Sequence, residues 1–251
     1  LKKEVLKDLP DKIEKNMAAC MEQKQKELYH AHAQRLALML QNQTEEEFAD
    51  SRFQVLSELT RLRQLCCDPA LVYENYEGGS AKLDLCIELI QSAVESGHKI
   101  LLFSQFTSMI EILTARLQEE SISCFVLQGS TKKEQRAQMV EQFNRDDTSV
   151  FCISLKAGGT GLNLTGADIV IHYDPWWNVA VENQATDRAH RIGQKNVVTV
   201  YKLIAKGTIE EKIIKLQQMK EELAEEILSG DEIKTASFQR EELLELLEER
   251  F

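Results

Sequence analysis

Ser149-Val150-Phe151-Cys152-Ile153-Ser154-Leu155 is an apolar run that breaks directly into Lys156-Ala157-Gly158-Gly159-Thr160-Gly161-Leu162-Asn163-Leu164-Thr165. A strand that is apolar throughout, rather than alternating, is buried on both faces, as in a mainly parallel sheet covered by helices. Three glycines in four positions at the strand exit let backbone N–H groups approach a phosphate closely. The loop lacks the Gly-Lys-Ser/Thr ending of a Walker A sequence. It also fails the dinucleotide fingerprint, because Leu164 stands where the third glycine belongs. A tight turn of an α/β protein explains the loop as well as phosphate binding does.

The neighbouring sequence repeats the pattern. Further apolar runs at Lys99–Phe103, Ser121–Gln128, Asp168–Tyr173 and Val197–Ile204 predict strands. Helical periodicity covers Lys82–Ser96, Thr107–Glu120, Thr131–Asn144 and Val179–His190. Thr131 with Glu134, and Thr208 with Glu211, have capping-box spacing; the second opens a long helix to about Leu228. Five strands alternating with helices predict an α/β fold with a mainly parallel sheet, whose chemistry sits at the carboxyl ends of its strands. Residues 1–80 read as mostly helical. Pro10 marks an extended lead-in, Met21–Gln41 one helix, and Thr44 with Glu47 the capped start of another that Pro69 stops. The expected organisation is a helical region 1–80, an α/β region 81–205, and a helix with an acidic tail over 206–251.

Composition narrows the class. Only 3 Pro and 11 Gly in 251 residues argue against a turn-rich β-sandwich. No apolar run approaches the ~18 residues that span a bilayer, so no membrane role is expected. The net charge is −11, but residues 209–251 alone carry 13 carboxylates against 6 basic residues. The acidity therefore belongs mostly to the tail and says little about a site elsewhere. The six cysteines form no C-x-x-C pair and have no His at ligand spacing, so buried free thiols in a reducing compartment are expected, and no metal site. The chain starts at Leu1 with no apolar signal segment, which reads as a piece of a longer polypeptide.

Two other strand-exit segments carry polar or aromatic clusters. Arg188 and Arg191, within Gln184-Ala185-Thr186-Asp187-Arg188-Ala189-His190-Arg191-Ile192-Gly193-Gln194, are three apart on a predicted helix and so share a face. Two converging guanidiniums cradle phosphate oxygens. Spacing alone favours the plainer reading, two surface arginines paired with Glu182 or Asp187. Trp176 and Trp177, in Asp174-Pro175-Trp176-Trp177-Asn178, are the only tryptophans; adjacent side chains diverge, so one can be core while the other faces a partner. No Ser-His-Asp or Cys-His arrangement is legible.

Taken in order, these segments resemble the carboxy-terminal helicase-like lobe of the Swi/Snf-type ATPases, superfamily-two DNA translocases. Leu101-Leu102-Phe103-Ser104-Gln105-Phe106 is similar to motif IV. Gln128-Gly129-Ser130-Thr131, with Arg136 and Phe143-Asn144, is similar to the segment after it. The glycine loop through Asp168 is similar to motif V, and Asp174–Asn178 with Gln184–Gln194 to the tryptophan motif and motif VI. Leu9–Glu14 is similar to the lead-in and Thr199–Glu211 to the exit strand and bracing helix. Val179 stands where the family usually has Pro, and Leu155 where many members have Thr; the second departure points to the bacterial branch.

The resemblance implies a RecA-like lobe that works beside a first lobe of the same polypeptide. That first lobe would carry the Walker A lysine and the Mg²⁺ ligands for ATP. Arg188 and Arg191 would then be arginine fingers, with Gly159, Gly161, Asn163 and Gln184 near the nucleotide. Ser104, Gln105, Ser130, Ser154, Lys156 and Thr160 would grip phosphates of double-stranded DNA, and Trp177 would couple the two. A bacterial cytoplasmic, nucleoid-associated setting is implied, with a nuclear one as the alternative, and a polymerase or nucleoprotein as a possible further partner. Two rivals are a catalytically silent interaction module and a lobe of a strand-separating RNA or DNA helicase. The tryptophan pair and the glutamines bounding motif VI argue against the second.

Overall fold

A computed structural model describes residues 9–155, 157, 162–226 and 240–247. The chain forms two compact units, Leu1–Ala19 with Lys82–Ile204, and Cys20–Ala81 with Ala205–Phe251.

The first unit is built on a six-stranded sheet. Its strands are β1 (Lys12–Ala19), β2 (Ile100–Ser104), β3 (Cys124–Leu127), β4 (Val150–Ser154), β5 (Ile169–His172) and β6 (Val198–Ala205), in the order β1-β6-β5-β2-β4-β3. The pairs β2–β4, β2–β5, β3–β4 and β5–β6 are parallel. Between the strands run α3 (Ala81–Glu95), α4 (Thr107–Glu119), α5 (Lys133–Arg145) and α6 (Val179–Thr186). β2, β4 and β5 are buried at every position. Side chains alternate between faces. Leu101, Phe103, Phe151, Ile153, Val170 and Val200 form one core with Phe143 of α5 and Ala185 of α6. The opposite face packs against α4, whose Met109, Ile110, Leu113 and Leu117 are fully buried. At about 1.5–3 kcal/mol for each fully buried large apolar side chain, this double-sided burial dominates the stability of the unit.

The second unit contains α1 (Gln23–Gln41), α2 (Glu45–Cys67), a 3₁₀ turn at Pro69–Leu71, α7 (Ile209–Glu226) and α8 (Arg240–Leu247). The capping box expected at Thr44 is formed in both directions. The hydroxyl of buried Tyr29, on α1, accepts from the Ile209 N–H at 2.7 Å, satisfying a free donor at the start of α7.

Several expectations change. Residues 12–19, inside the region read as helical, are a sixth strand beside β6. The capping box expected at Thr131 does not form. α5 starts at Lys133 without a side-chain cap, and the Thr131 hydroxyl accepts from the Gln128 N–H at 3.1 Å instead. α6 stops at Thr186, four residues before the expected end, so Arg188 and Arg191 lie on the turns that follow it rather than on one helix face.

Candidate functional site

Because the strands are parallel, their exits gather at one edge. Ser104 and Ser154 are register partners at the ends of β2 and β4. Neither offers a hydroxyl to the surface. Ser104 is fully buried and its Oγ lies 2.5 Å from Asp174 Oδ1, to which it donates, while Ser154 is 2% exposed. Both hydroxyls, expected to grip phosphate, are thus buried here. Asp174 also accepts from the Gln105 N–H at 3.3 Å, and the Ser104 hydroxyl accepts from the Phe106 N–H at 3.2 Å. The pair thus fixes the turn that presents Gln105, which is half-buried. Ser130, after β3, is exposed. Lys156, Gly159, Thr160 and Gly161 lie outside the described residues.

Asp174 leads directly into the tryptophans, both of which are half-buried, so neither is a core plug. Their loop is held by α6. The Trp176 N–H donates to Glu182 Oε1 at 2.6 Å, and the Asn178 side chain caps α6 by accepting from the Ala180 N–H at 3.0 Å. With Asn178 as cap, Val179 occupies the first helical position where a proline would also fit. Glu182 is 1% exposed, and its carboxylate lies 3.3 Å from Lys202, which in turn lies 3.5 Å from Glu14 of β1. Glu182 is thus engaged with Lys202 and the loop backbone. Gln184, on α6, is exposed.

The segment from β4 to β5 runs from the carboxyl edge of the sheet to its amino edge, and the arginines sit against its middle. The Leu164 N–H donates to the Arg188 carbonyl at 3.0 Å, and Arg191 Nη1 donates to the Leu162 carbonyl at 3.3 Å. The structure therefore brings Arg188, Arg191 and Asn163 together beside the far end of the glycine loop. Arg188 is 6% exposed and Arg191 is exposed. Burial first, and the Arg191 charge second, push the Arg188 guanidinium below the ordinary arginine range. Two like charges near one another in a partly dry place each disfavour the charged form of the other.

Sequence reasoning gave no role to the residues that build this arrangement. Arg136 donates to the carbonyls of Thr131, Gln128, Gly129 and Ala157 at 2.8–3.2 Å, joining the turn after β3 to the start of the glycine loop. Asn144 donates to the Asn163 carbonyl at 2.8 Å and accepts from the Gly166 N–H at 2.9 Å. A Cβ at Gly166 would stand 2.8 Å from the Asn144 Oδ1, so the close approach requires glycine there. Gln194 Nε2 faces the carbonyls of Ala167 at 2.7 Å, Ala189 at 3.1 Å and Thr165 at 3.3 Å, while its Oε1 accepts from the N–H groups of Lys195 and Asn196. His190 Nε2 lies 2.8 Å from the Pro10 carbonyl. Among the described residues no group of His, Cys, Asp or Glu is arranged to hold a metal ion.

A helix-covered parallel sheet with polar strand exits and an arginine pair against the loop after β4 defines a RecA-like α/β lobe. The chain matches the model of the helicase conserved C-terminal domain over residues 81–193 and that of the SNF2-related domain over residues 1–71. It is 32% identical to the C-terminal domain of the Sulfolobus solfataricus SWI2/SNF2 ATPase, covering 96% of this chain and 100% of that one, with a TM-score of 0.76. It resembles the same ATPase core in complex with dsDNA at 34% identity and a TM-score of 0.74, covering 90% of this chain and 48% of that one. An uncharacterized ATP-dependent helicase of Mycoplasma pneumoniae is 41% identical over 98% of this chain and 24% of its own length. This chain belongs to the SWI2/SNF2 ATPase family and corresponds to its C-terminal lobe. It spans about a quarter of the length of the curated relatives it matches.

Proposed function

We propose that this chain is the second motor lobe of an ATP-dependent double-stranded DNA translocase, inactive without the first lobe. The observation that carries the reading is the attachment of Arg188 and Arg191 to the segment following the glycine loop. There they form a paired cation with the chemistry to neutralise a triphosphate. ATP supplies the phosphoryl bond whose cleavage drives the cycle; this lobe contributes Arg188 and Arg191 as fingers against its charge. Gly159, Gly161, Asn163 and Gln184 are assigned to nucleotide binding on this reading. This chain has no Gly-Lys-Ser/Thr sequence, and on this reading the phosphate-loop lysine and the Mg²⁺ ligands are supplied by the first lobe.

DNA contact falls to the carboxyl edge. Gln105 and Ser130, with Lys156 and Thr160, grip phosphates of one strand, while buried Ser104 and Ser154 position the turns that carry them. Such contacts fix register without reading sequence, which suits an acidic lobe that tracks along DNA. The name of the Sulfolobus relative, a core bound to dsDNA, supports the duplex as partner. Trp177 lies on the loop between the two places. From Gln105 the connection runs through Asp174 to the tryptophan loop, then through Glu182 into α6, which ends two residues before Arg188.

The test is DNA-stimulated ATP hydrolysis by the full-length protein carrying Arg191→Ala. Loss of about 10³–10⁵ in turnover, the usual worth of such a finger, is expected. Near-normal turnover removes the assignment.

A further inference from the structure

The second unit carries a feature that the motor reading leaves unused. A groove of about 450 Å³ opens on the α1–α2 pair, lined by His32, Arg35, Arg61, Gln64 and Leu71–Tyr73. Two of these lining residues, Arg35 and Arg61, are held by Glu58, a carboxylate with only 7% of its side chain exposed. Glu58 Oε1 accepts from Arg35 Nη2 and from Arg61 Nη1, each at 3.1 Å. His32 Nδ1 lies 3.7 Å from the other oxygen, and its Nε2 lies 2.8 Å from the Tyr73 hydroxyl. One buried carboxylate thus fixes two guanidiniums, whose side chains remain 64% and 46% exposed. Two formal positive charges against one negative leave the groove cationic on a chain whose net charge is −11. Held in place by Glu58, the guanidiniums keep outward-facing donors that lose little entropy on meeting a carboxylate.

The groove continues into an apolar row. On α2, Phe53, Ser57 and Arg61 are spaced at i, i+4, i+8 and therefore share a face. Phe53 is 87% exposed and Leu56 57%; on α1, one turn beyond Arg35, Leu38 is 58% exposed. Three large exposed apolar side chains beside a fixed arginine pair match a ligand with carboxylates next to apolar side chains. Duplex DNA would satisfy the guanidiniums but offer nothing to Phe53 and Leu56. We infer that the α1–α2 groove is a docking site for an acidic peptide segment of a partner protein, with Arg35 and Arg61 holding its carboxylates and Phe53 and Leu56 its apolar residues.

The probe is a fluorescein-labelled peptide of about a dozen residues in which glutamate alternates with leucine, followed by anisotropy against the 251-residue chain. Saturable binding is expected. It weakens at least about tenfold in Arg35→Gln/Glu58→Gln/Arg61→Gln, which removes the buried carboxylate together with its partners and so leaves no orphan charge. Phe53→Ser, at a position 87% exposed, weakens it roughly threefold to tenfold with an unchanged melting temperature. Three results overturn the inference: equal binding of the glutamine-for-glutamate peptide, indifference to both variants, or a response to the triple substitution by short duplex DNA and not by the peptide. None of these depends on ATP turnover, so failure here is distinguishable from failure of the motor assignment.

Discussion

Gln194 stitches three segments together with one side chain, and none of this is legible from its position in the sequence. A glutamine directly after a glycine reads as a surface residue. Its value comes from Thr165, Ala167 and Ala189, whose carbonyls converge on it only after folding. Gln194→Leu keeps the volume but leaves those buried acceptors and the N–H groups of Lys195 and Asn196 without their partner. A loss of about 2–4 kcal/mol in urea unfolding of the chain is expected. His172 is the second residue-scale case. It is 1% exposed, stacked on Phe103 with ring centroids 5.5 Å apart, and its Nε2 lies 2.9 Å from the Thr186 hydroxyl. Burial, and next the Lys202 charge, push it down to about 3. The unfolded chain, titrating near ~6.5, takes up the proton first. This contribution to stability is therefore complete above about pH 6.5. It is lost as pH falls towards 3, by about 1.4 kcal/mol per pH unit within that window. Comparing the unfolding free energies of wild type and His172→Gln from pH 7 to pH 4.5 isolates the effect, because the other titrating groups are common to both. Parallel pH profiles would show that His172 is not the source.

At the scale of elements, the legible features were those determined by local sequence. Apolar runs placed five of the six strands, because a strand buried on both faces has no polar position to disguise it. The exception is β1, whose Lys12-Ile13-Glu14-Lys15-Asn16-Met17 is largely exposed along its length and carries no such run. Its strand character comes from pairing at the sheet edge, a tertiary fact. The two capping boxes in the first 150 residues make the same point. Thr44–Glu47 forms because the chain before it is free to take an extended N-cap conformation. At Thr131–Glu134 the same spacing fails because Arg136 draws the Thr131 carbonyl into the turn after β3. Thr44→Ala should cost about 1 kcal/mol of stability. Glu134→Ala, with no box to break, should stay within about 0.5 kcal/mol. Equilibrium unfolding of both variants checks the contrast, and equal losses would contradict it. The early end of α6 has a related cause. The backbone beyond Thr186 bonds to Leu164, and Gly193 at φ 106° adopts a conformation that a continued helix forbids.

For the whole molecule, spacing alone favoured ordinary surface arginines at 188 and 191, the family resemblance singled them out, and their neighbourhood was not legible in the sequence. A helix face was expected to aim Arg188 and Arg191 together. Instead, both lie on the turns after α6, beside contacts made by Asn144, Gln194 and His190, with Arg188 buried and Arg191 exposed. Such a site is one-sided. On the proposed reading it supplies cations to a transferring phosphoryl group, while the sequence has no Gly-Lys-Ser/Thr phosphate loop. Positioning and charge neutralisation act on a bound nucleotide only when both halves of the pocket enclose it. The 251-residue chain alone is therefore expected to hydrolyse ATP no faster than buffer, with or without DNA. Arg191→Ala should change nothing in that background while silencing the full-length protein. A phosphate-release assay on both forms decides the matter. Mg²⁺-dependent turnover by the chain alone that disappears with Arg191→Ala would mean that the catalytic site is complete within this lobe, and the two-lobe account would have to be abandoned.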